Sequence, residues 1–103
     1  MVTRKDILVY FEGHPGARGS LDVAEHFGLS RQNAAKHVAR LWGEWLVASA
    51  SPRSHGTRFR LRPGERLEAL RFGLTERGRK RIAYYRHRDE ARTGQAQASG
   101  GTS

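Results

Sequence analysis

Five polar side chains between positions 31 and 40 are of the types that proteins use to bind nucleic acid: Arg31, Gln32, Asn33, Lys36 and Arg40. Arginine and lysine pair with guanine edges or phosphates, and glutamine and asparagine suit the edge of adenine. Ser30 and His37 belong to the same candidate set, although Ser30 also suits a helix N-cap and His37 a half-buried surface position. An ordinary solvated helix face is the alternative interpretation of this pattern.

The segment that positions these side chains, residues 20–41, predicts two short helices joined by a tight turn. Ser20 is predicted to cap the first helix and Ser30 the second, and Gly28 ends the first because glycine tolerates the left-handed conformation. Four apolar residues of the second helix recur as one buried stripe: Ala34, Val38, Leu41 and Trp45. The polar residues fall outside this stripe. The layout is that of a helix-turn-helix, whose second helix lies in the DNA major groove.

One half of the chain carries nearly all of the net positive charge. The 103 residues have a formal net charge of +9. Residues 1–51 contain six Lys/Arg and five Asp/Glu, whereas residues 52–103 contain thirteen and five. A one-sided basic surface favours a polyanionic partner, of which nucleic acid is the commonest. A basic helix on a membrane surface has a similar composition, but here strand alternation and turn residues come before any basic helix.

The basic half begins with a pattern of strands and turns. Residues 46–51 alternate as a strand, residues 58–62 alternate with Phe59 and Leu61 on one side, and residues 67–72 form a weaker third pattern. A hairpin after a recognition helix is a wing, and residues 52–62 contain four arginines and no acid. The candidates for contact with the DNA backbone or minor groove are Arg53, His55, Arg58 and Arg60. Charged outer faces that keep edge strands from pairing are the alternative interpretation.

Two further helices flank these elements. Thr3 begins a predicted capping box at the first helix, which is followed by a glycine-rich connector, residues 13–19. Thr75 is predicted to cap a last, strongly basic helix with a narrow apolar patch. This helix completes the core or pairs with its copy in a homodimer through Ile82, Tyr84 and Tyr85. The polar sequence of residues 91–103 predicts a disordered tail, so residues 1–90 are predicted to form the single domain.

Several classes of chemistry find no support in the sequence. The chain has no cysteine, and its five histidines show no metal-ligand spacing with each other or with acids. No nucleophile–histidine–acid set, carboxylate pair or nucleotide fingerprint stands out, so we expect no enzyme, no metal site and no cofactor. No apolar run approaches the roughly 18 residues of a membrane span. We expect a cytoplasmic protein associated with the nucleoid.

Two stretches resemble a known group of proteins. AEHFGLSRQNAAKHVARL, residues 24–41, resembles the helix-turn-helix of bacterial winged-helix regulators of the MarR and PadR kind. LTERG, residues 74–78, resembles the segment that follows the wing in those families. The resemblance extends over about residues 3–88 and departs at Trp45, where those families often carry glycine before the Leu-Val that opens the wing. It implies a winged-helix fold and a dimer built from terminal helices.

The sequence therefore predicts a mainly α fold with a small β-hairpin wing (α+β). This is a winged helix-turn-helix with a three-helix core, a two- or three-stranded wing and a C-terminal helix. The predicted function is sequence-specific binding of double-stranded DNA in transcription regulation, as a repressor. Three hypotheses remain beside it: a winged-helix protein of plasmid or phage replication or maintenance, a nucleic-acid binder of low specificity, and a protein-interaction platform.

Overall fold

The computed structural model describes residues 1–14, 16–54, 56, 58 and 60–101, with side chains described up to residue 92. Within these residues, four α-helices accompany a two-stranded sheet and a short 3-10 helix. In chain order the elements are α1 Arg4–Gly13, α2 Ser20–Phe27, α3 Arg31–Gly43, β1 Val47–Ser49, a 3-10 helix Leu67–Ala69, β2 Phe72–Leu74 and α4 Glu76–Gly101.

Short-range hydrogen bonds set the start of α1, as predicted. The Thr3 hydroxyl accepts from the backbone N–H of Asp6 at 3.2 Å, and the Asp6 carboxylate accepts from the N–H of Thr3 at 2.9 Å. This reciprocal capping box satisfies two donors that a helix end leaves without partners. The same bond to Thr3 holds the pKa of Asp6 below its usual value.

The start of α2 differs from the prediction, whereas its end agrees. Gly19 and not Ser20 is the N-cap, and the Asp22 carboxylate accepts from the N–H of Gly19 at 2.8 Å. Because Asp22 satisfies this donor from within the first turn, the Ser20 side chain is left to face the core, where it is 1% exposed. At the other end, Gly28 adopts the left-handed conformation at φ 67° and closes the helix.

The sheet pairs β1 with β2 in antiparallel register, so that Val47 lies opposite Leu74 and Ser49 opposite Phe72. An isolated bridge adds a third segment from the connector before α2. Arg18 and Phe72 exchange two backbone hydrogen bonds at 2.8 and 2.9 Å. The connector therefore also anchors the sheet, a role that its glycine-rich sequence did not predict.

Two of the predicted strands are wrong. Among residues 58–62, the four that the structure describes belong to no strand, and Phe59 lies outside the described residues. Side chains form hydrogen bonds with backbone groups that strand pairing would need. Arg53 donates to the carbonyl of Arg60, and Glu65 accepts from the N–H of Arg62. In the other predicted strand, Leu67 begins the 3-10 helix and is buried in the core, and β1 pairs with Phe72–Leu74 instead.

Helix α4 closes the core from the side of α1 and β2. Its cap is Thr75, as predicted, whose hydroxyl accepts from the N–H of Gly78 at 3.0 Å. Gly78 lies so close to the start of β1 that a Cβ atom there would stand 2.1 Å from the carbonyl oxygen of Leu46. Ile82 then places its side chain, 1% exposed, in the common core.

The helical assignment of α4 extends past residue 90 to Gly101. The division of the chain at residue 90 stays a prediction. The three-helix core, the antiparallel pair and the following helix together form a winged helix, which confirms the predicted fold class.

Candidate nucleic-acid interface

Helix α3 has one face in the core and an opposite face in solvent. Ser30 caps it as predicted, and its hydroxyl accepts from the N–H of Asn33 at 3.1 Å. The buried residues are Ala34, Val38, Leu41 and Trp42. The predicted stripe is thus correct for its first three members, but Trp42 takes the fourth place. Trp45 lies beyond the end of the helix and is only half-buried.

The predicted contact residues of α3 lie on its solvent side. Gln32, Lys36 and Arg40 are exposed and, spaced by four residues, share the face opposite the core. We call these three residues the recognition face. Arg31 and Asn33 are exposed beside it, Ser30 is exposed at the helix start, and His37 is half-buried at the edge.

The charge on this side of the molecule is positive. Helix α3 contains Arg31, Lys36 and Arg40 and no acidic residue. The acidic residue that follows it, Glu44, forms an ion pair with Arg4 of α1 at 3.2 Å. The recognition face therefore carries cations whose charge no carboxylate of the same helix offsets, as binding to phosphates requires.

The wing segment, residues 50–71 between the two strands, contains an arginine with a structural role. Arg53 was predicted to contact DNA, but its side chain is 5% exposed. Its guanidinium donates to Glu65 and, at 3.0 Å, to the carbonyl of Arg60, and it lies 5.2 Å from the ring centroid of Trp42. Because these contacts bury the guanidinium, we assign Arg53 to the internal structure of the wing segment.

Glu65 completes this buried contact and was not singled out from the sequence. Its carboxylate binds Arg53 and accepts from the N–H of Arg62 at 2.8 Å. These hydrogen bonds favour the charged form, and the one from Arg53 is the main reason that the pKa of Glu65 falls to about 2. The one signal of this pair in the sequence is that an arginine and a glutamate stand at either end of a turn-rich segment.

The other wing arginines are exposed, as predicted. Arg58 places its guanidinium over the ring of Trp45, 4.4 Å from the centroid. Arg60 donates through Nε to the carbonyl of Gly56 at 2.7 Å. The remaining wing candidate, His55, lies outside the described residues.

Lys36 of the recognition face and Arg60 of the wing segment line the same cleft. This α3–wing cleft has a volume of about 370 Å³, and its lining is otherwise mostly apolar: Ala35, Ala39, Trp42, Leu61 and Leu67. Sequence reasoning placed Lys36 and Arg60 on separate elements, and the fold brings them to one surface. It did not single out Ala35 and Ala39, whose small side chains also line the cleft.

A second basic surface lies on α4, away from the face that packs on α1. Arg77, Lys80, Arg81 and Tyr84 line a shallow depression there. Some cations of α4 take part in ion pairs: Arg86 binds Glu12 of α1, and Lys80 lies 3.7 Å from Glu76 of its own helix. The positive charge of the second half of the chain is therefore divided between the wing segment and α4.

Metal sites and membrane spans are two further features that the described residues could form. No group of three or more His, Cys, Asp or Glu side chains among these residues is placed to hold a metal ion. None of the helices described has both the length and the apolar character needed to cross a membrane.

Comparison with known proteins supports the fold. No protein family and no curated protein sequence matches the chain. Among solved structures, the chain is similar to a mutant of ZitR from Lactococcus lactis in its apo form, with a TM-score of 0.57 and 17% sequence identity. The similarity covers 97% of this chain and 66% of the ZitR chain, so this chain spans just under two thirds of that protein's length. At this identity the likeness establishes a shared fold.

Proposed function

We propose that this protein binds double-stranded DNA with sequence preference and regulates transcription by occupying a promoter as a repressor. The observation that carries the proposal is the recognition face. Gln32, Lys36 and Arg40 stand exposed in line on a capped helix that contains no acidic residue, and a wing arginine lies across the adjoining cleft. A helix of this kind fits the major groove, where these side-chain types read base edges.

The candidate residues divide between two tasks. Gln32, Asn33 and Arg40 would contact base edges, and Arg31 and Lys36 either bases or phosphates. Arg58 and Arg60 would hold the backbone or the minor groove. Ser30, His37 and His55 stay proposed phosphate contacts at the margin of this surface.

Symmetry and location complete the proposal. A homodimer acting in the cytoplasm on nucleoid DNA would bind a near-palindromic site with half-sites about one helical turn, or a multiple of it, apart. The same mode of binding would serve an origin or repeat of a replication system equally well. The identity of the bound DNA, recovered with the protein from cells, separates these two uses.

Selection of bound sequences from a random duplex pool at physiological ionic strength tests the proposal. We expect the full chain to enrich one motif with two-fold symmetry. Lys36→Ala should weaken the binding of the enriched duplex, whereas Lys80→Ala on α4, a matched removal of an exposed lysine, should change it little. Failure to bind any duplex at low ionic strength would contradict the proposal and favour a protein-interaction platform.

Binding of low sequence specificity is the second candidate, because thirteen of the nineteen lysines and arginines lie in residues 52–103, outside the recognition face. It predicts no enriched motif and a steep loss of affinity with salt, with a slope of about −0.9 in log–log units per phosphate neutralised. Lys36→Ala and Lys80→Ala would then weaken binding equally.

A further inference from the structure

Trp45 has a backbone conformation that its residue type disfavours. Its φ is 60°, and among the described residues it is the one non-glycine with a positive φ. A bulky side chain is strained in this left-handed region, whereas glycine is not. Strain of this kind persists where the surrounding structure enforces it, and it is concentrated at functional sites.

The backbone around Trp45 is held by contacts that do not involve its side chain. Its N–H donates to the carbonyl of Trp42 at 3.0 Å, and its own carbonyl accepts from the hydroxyl of Thr75 at 2.6 Å. The next residue, Leu46, donates to the carbonyl of Leu41 at 2.9 Å. The turn from α3 into β1 would therefore form with glycine at position 45, and the indole needs a separate explanation.

The indole of Trp45 packs against an arginine of the wing segment. The guanidinium carbon of Arg58 lies 4.4 Å from the ring centroid, within the range of a cation–π interaction. Trp45 and Arg58 also line one cleft of about 280 Å³ beside the start of β1. Arg53 lies over Trp42 in the same way, so two arginines of an irregular segment rest on two tryptophans at the C-terminal end of α3.

We infer that Trp45 is a positioning residue for the wing, and the inference rests on the proposed function. The buried Arg53 fixes the base of the wing segment, and Trp45 fixes the exposed Arg58 at a set distance from the recognition face. Because the side chain of Arg58 is already ordered, it loses less conformational freedom when it binds a DNA phosphate. This role explains why a tryptophan occupies a strained backbone position: its ring orients the wing before DNA binds.

A set of four variants tests this role: Trp45→Gly, Trp45→Tyr, Arg58→Ala and the double variant Trp45→Gly/Arg58→Ala. Glycine relieves the backbone strain and removes the ring, and tyrosine keeps an aromatic face. We expect Trp45→Gly to weaken binding of the selected duplex by about two- to five-fold, the size of an exposed cation–π interaction. Trp45→Tyr should retain most of the wild-type affinity. The double variant should bind no more weakly than Arg58→Ala alone. Losses that multiply in the double variant would overturn the inference, because the ring would not act through Arg58.

A measurement without DNA separates this inference from the proposed function. Trypsin cleaves after arginine unless proline follows, so the wing segment offers Arg58 and Arg60 on either side of Phe59, whereas Arg62 precedes Pro63. We expect faster cleavage there in Trp45→Gly than in the wild type or in Trp45→Tyr, all of which retain Arg58. Equal cleavage rates would overturn the inference even if the wild type binds duplex DNA tightly. Absence of duplex binding by the wild type would overturn the proposed function and, with it, the role of Trp45 at DNA.

Discussion

Lys36 is the middle residue of the recognition face and also lines the α3–wing cleft, so a duplex bound to this face would contact it. A lysine is a compact point charge, however, and discriminates poorly between partners of the same charge. Arginine can read guanine with two donors, but adenine is read by a side chain that presents a donor and an acceptor together. Gln32 and Asn33 are the residues of α3 with that capacity, and both are exposed near its N-terminal end.

Gln32→Ala and Asn33→Ala should therefore relax base preference while leaving total DNA binding largely intact. Each bidentate contact that is lost should cost about 1–3 kcal/mol of discrimination between the selected and a mismatched duplex. Competition binding with single-base variants of the selected site measures this difference. An unchanged preference in both variants would mean that α3 is not the reading element.

The arginines show how far residue types alone predict a site. Arg53, Arg58 and Arg60 look equivalent in the sequence, and all three were assigned to DNA. In the fold, Arg53 is enclosed by Glu65 and Trp42, whereas Arg58 and Arg60 stay exposed. The partner that distinguishes them is twelve residues away in the chain, and such pairing depends on how the intervening segment folds. The α3 candidates were easier to place because helical periodicity alone assigns a face.

Among the elements, those governed by local rules were predicted except for the cap of α2, which is Gly19 and not Ser20, and those governed by long-range pairing were not. Caps at Thr3, Ser30 and Thr75 and the glycine at position 28 identify helix ends from neighbouring residues alone. The alternation of residues 58–62 suits a strand equally well, but a strand also requires a partner. Here β1 pairs with Phe72–Leu74, and side chains of Arg53 and Glu65 occupy the backbone groups of the wing segment.

The wing segment should lose its internal ion pair in acid. Hydrogen bonds from Arg53 and from the backbone of Arg62 lower the pKa of Glu65 from 4.5 to about 2. A carboxyl group whose pKa is lower in the folded state stabilises that state above its unfolded pKa, and this contribution is lost as the pH falls. The Tm difference between wild type and Glu65→Gln should therefore be constant above about pH 5 and shrink as the pH falls from 4.5 towards 2.

Glu68→Gln supplies the control, because Glu68 is an exposed carboxylate three residues further along, within the 3-10 helix. Its Tm should follow that of the wild type across the whole pH range. A Tm difference for Glu65→Gln that persists unchanged at pH 2 would show that the carboxylate does not hold Arg53 through its charge.

The contact between α4 and the start of β1 depends on the absence of a side chain at position 78. A Cβ atom there would lie 2.1 Å from the carbonyl oxygen of Leu46, and backbone cannot move aside as a flexible side chain can. Gly78→Ala should lower the free energy of unfolding by about 1–3 kcal/mol or more, as overpacking of a core does. Chemical denaturation measures this loss. Gly73→Ala is the matched control, since a Cβ at Gly73 meets nothing within 4 Å; an equal loss in both variants would contradict the packing argument.

Across the described part of the molecule, much of the positive charge lies on two separate surfaces. The recognition face and the wing segment form one surface, and the outer side of α4 forms another, with Arg77, Lys80 and Arg81 around Tyr84. The proposed dimer through Ile82, Tyr84 and Tyr85 has to be revised in this light. Ile82 is 1% exposed within its own core and Tyr85 is half-buried, which leaves Tyr84, 58% exposed, as the apolar contact available to a second copy.

A dimer formed on that side of α4 would bring two sets of arginines and lysines together. Their repulsion is screened as the Debye length falls from about 10 Å at 0.1 M salt to about 3 Å at 1 M. Dimerisation should therefore strengthen with salt, whereas DNA binding should weaken, because duplex association releases counterions. Sedimentation at rising ionic strength measures the first dependence and duplex titration the second.

Tyr84→Ala should shift the protein towards monomer, and Leu21→Ala, which removes an exposed apolar side chain on α2, should not. A dimer that is insensitive to salt and to Tyr84→Ala would place the interface elsewhere on the molecule.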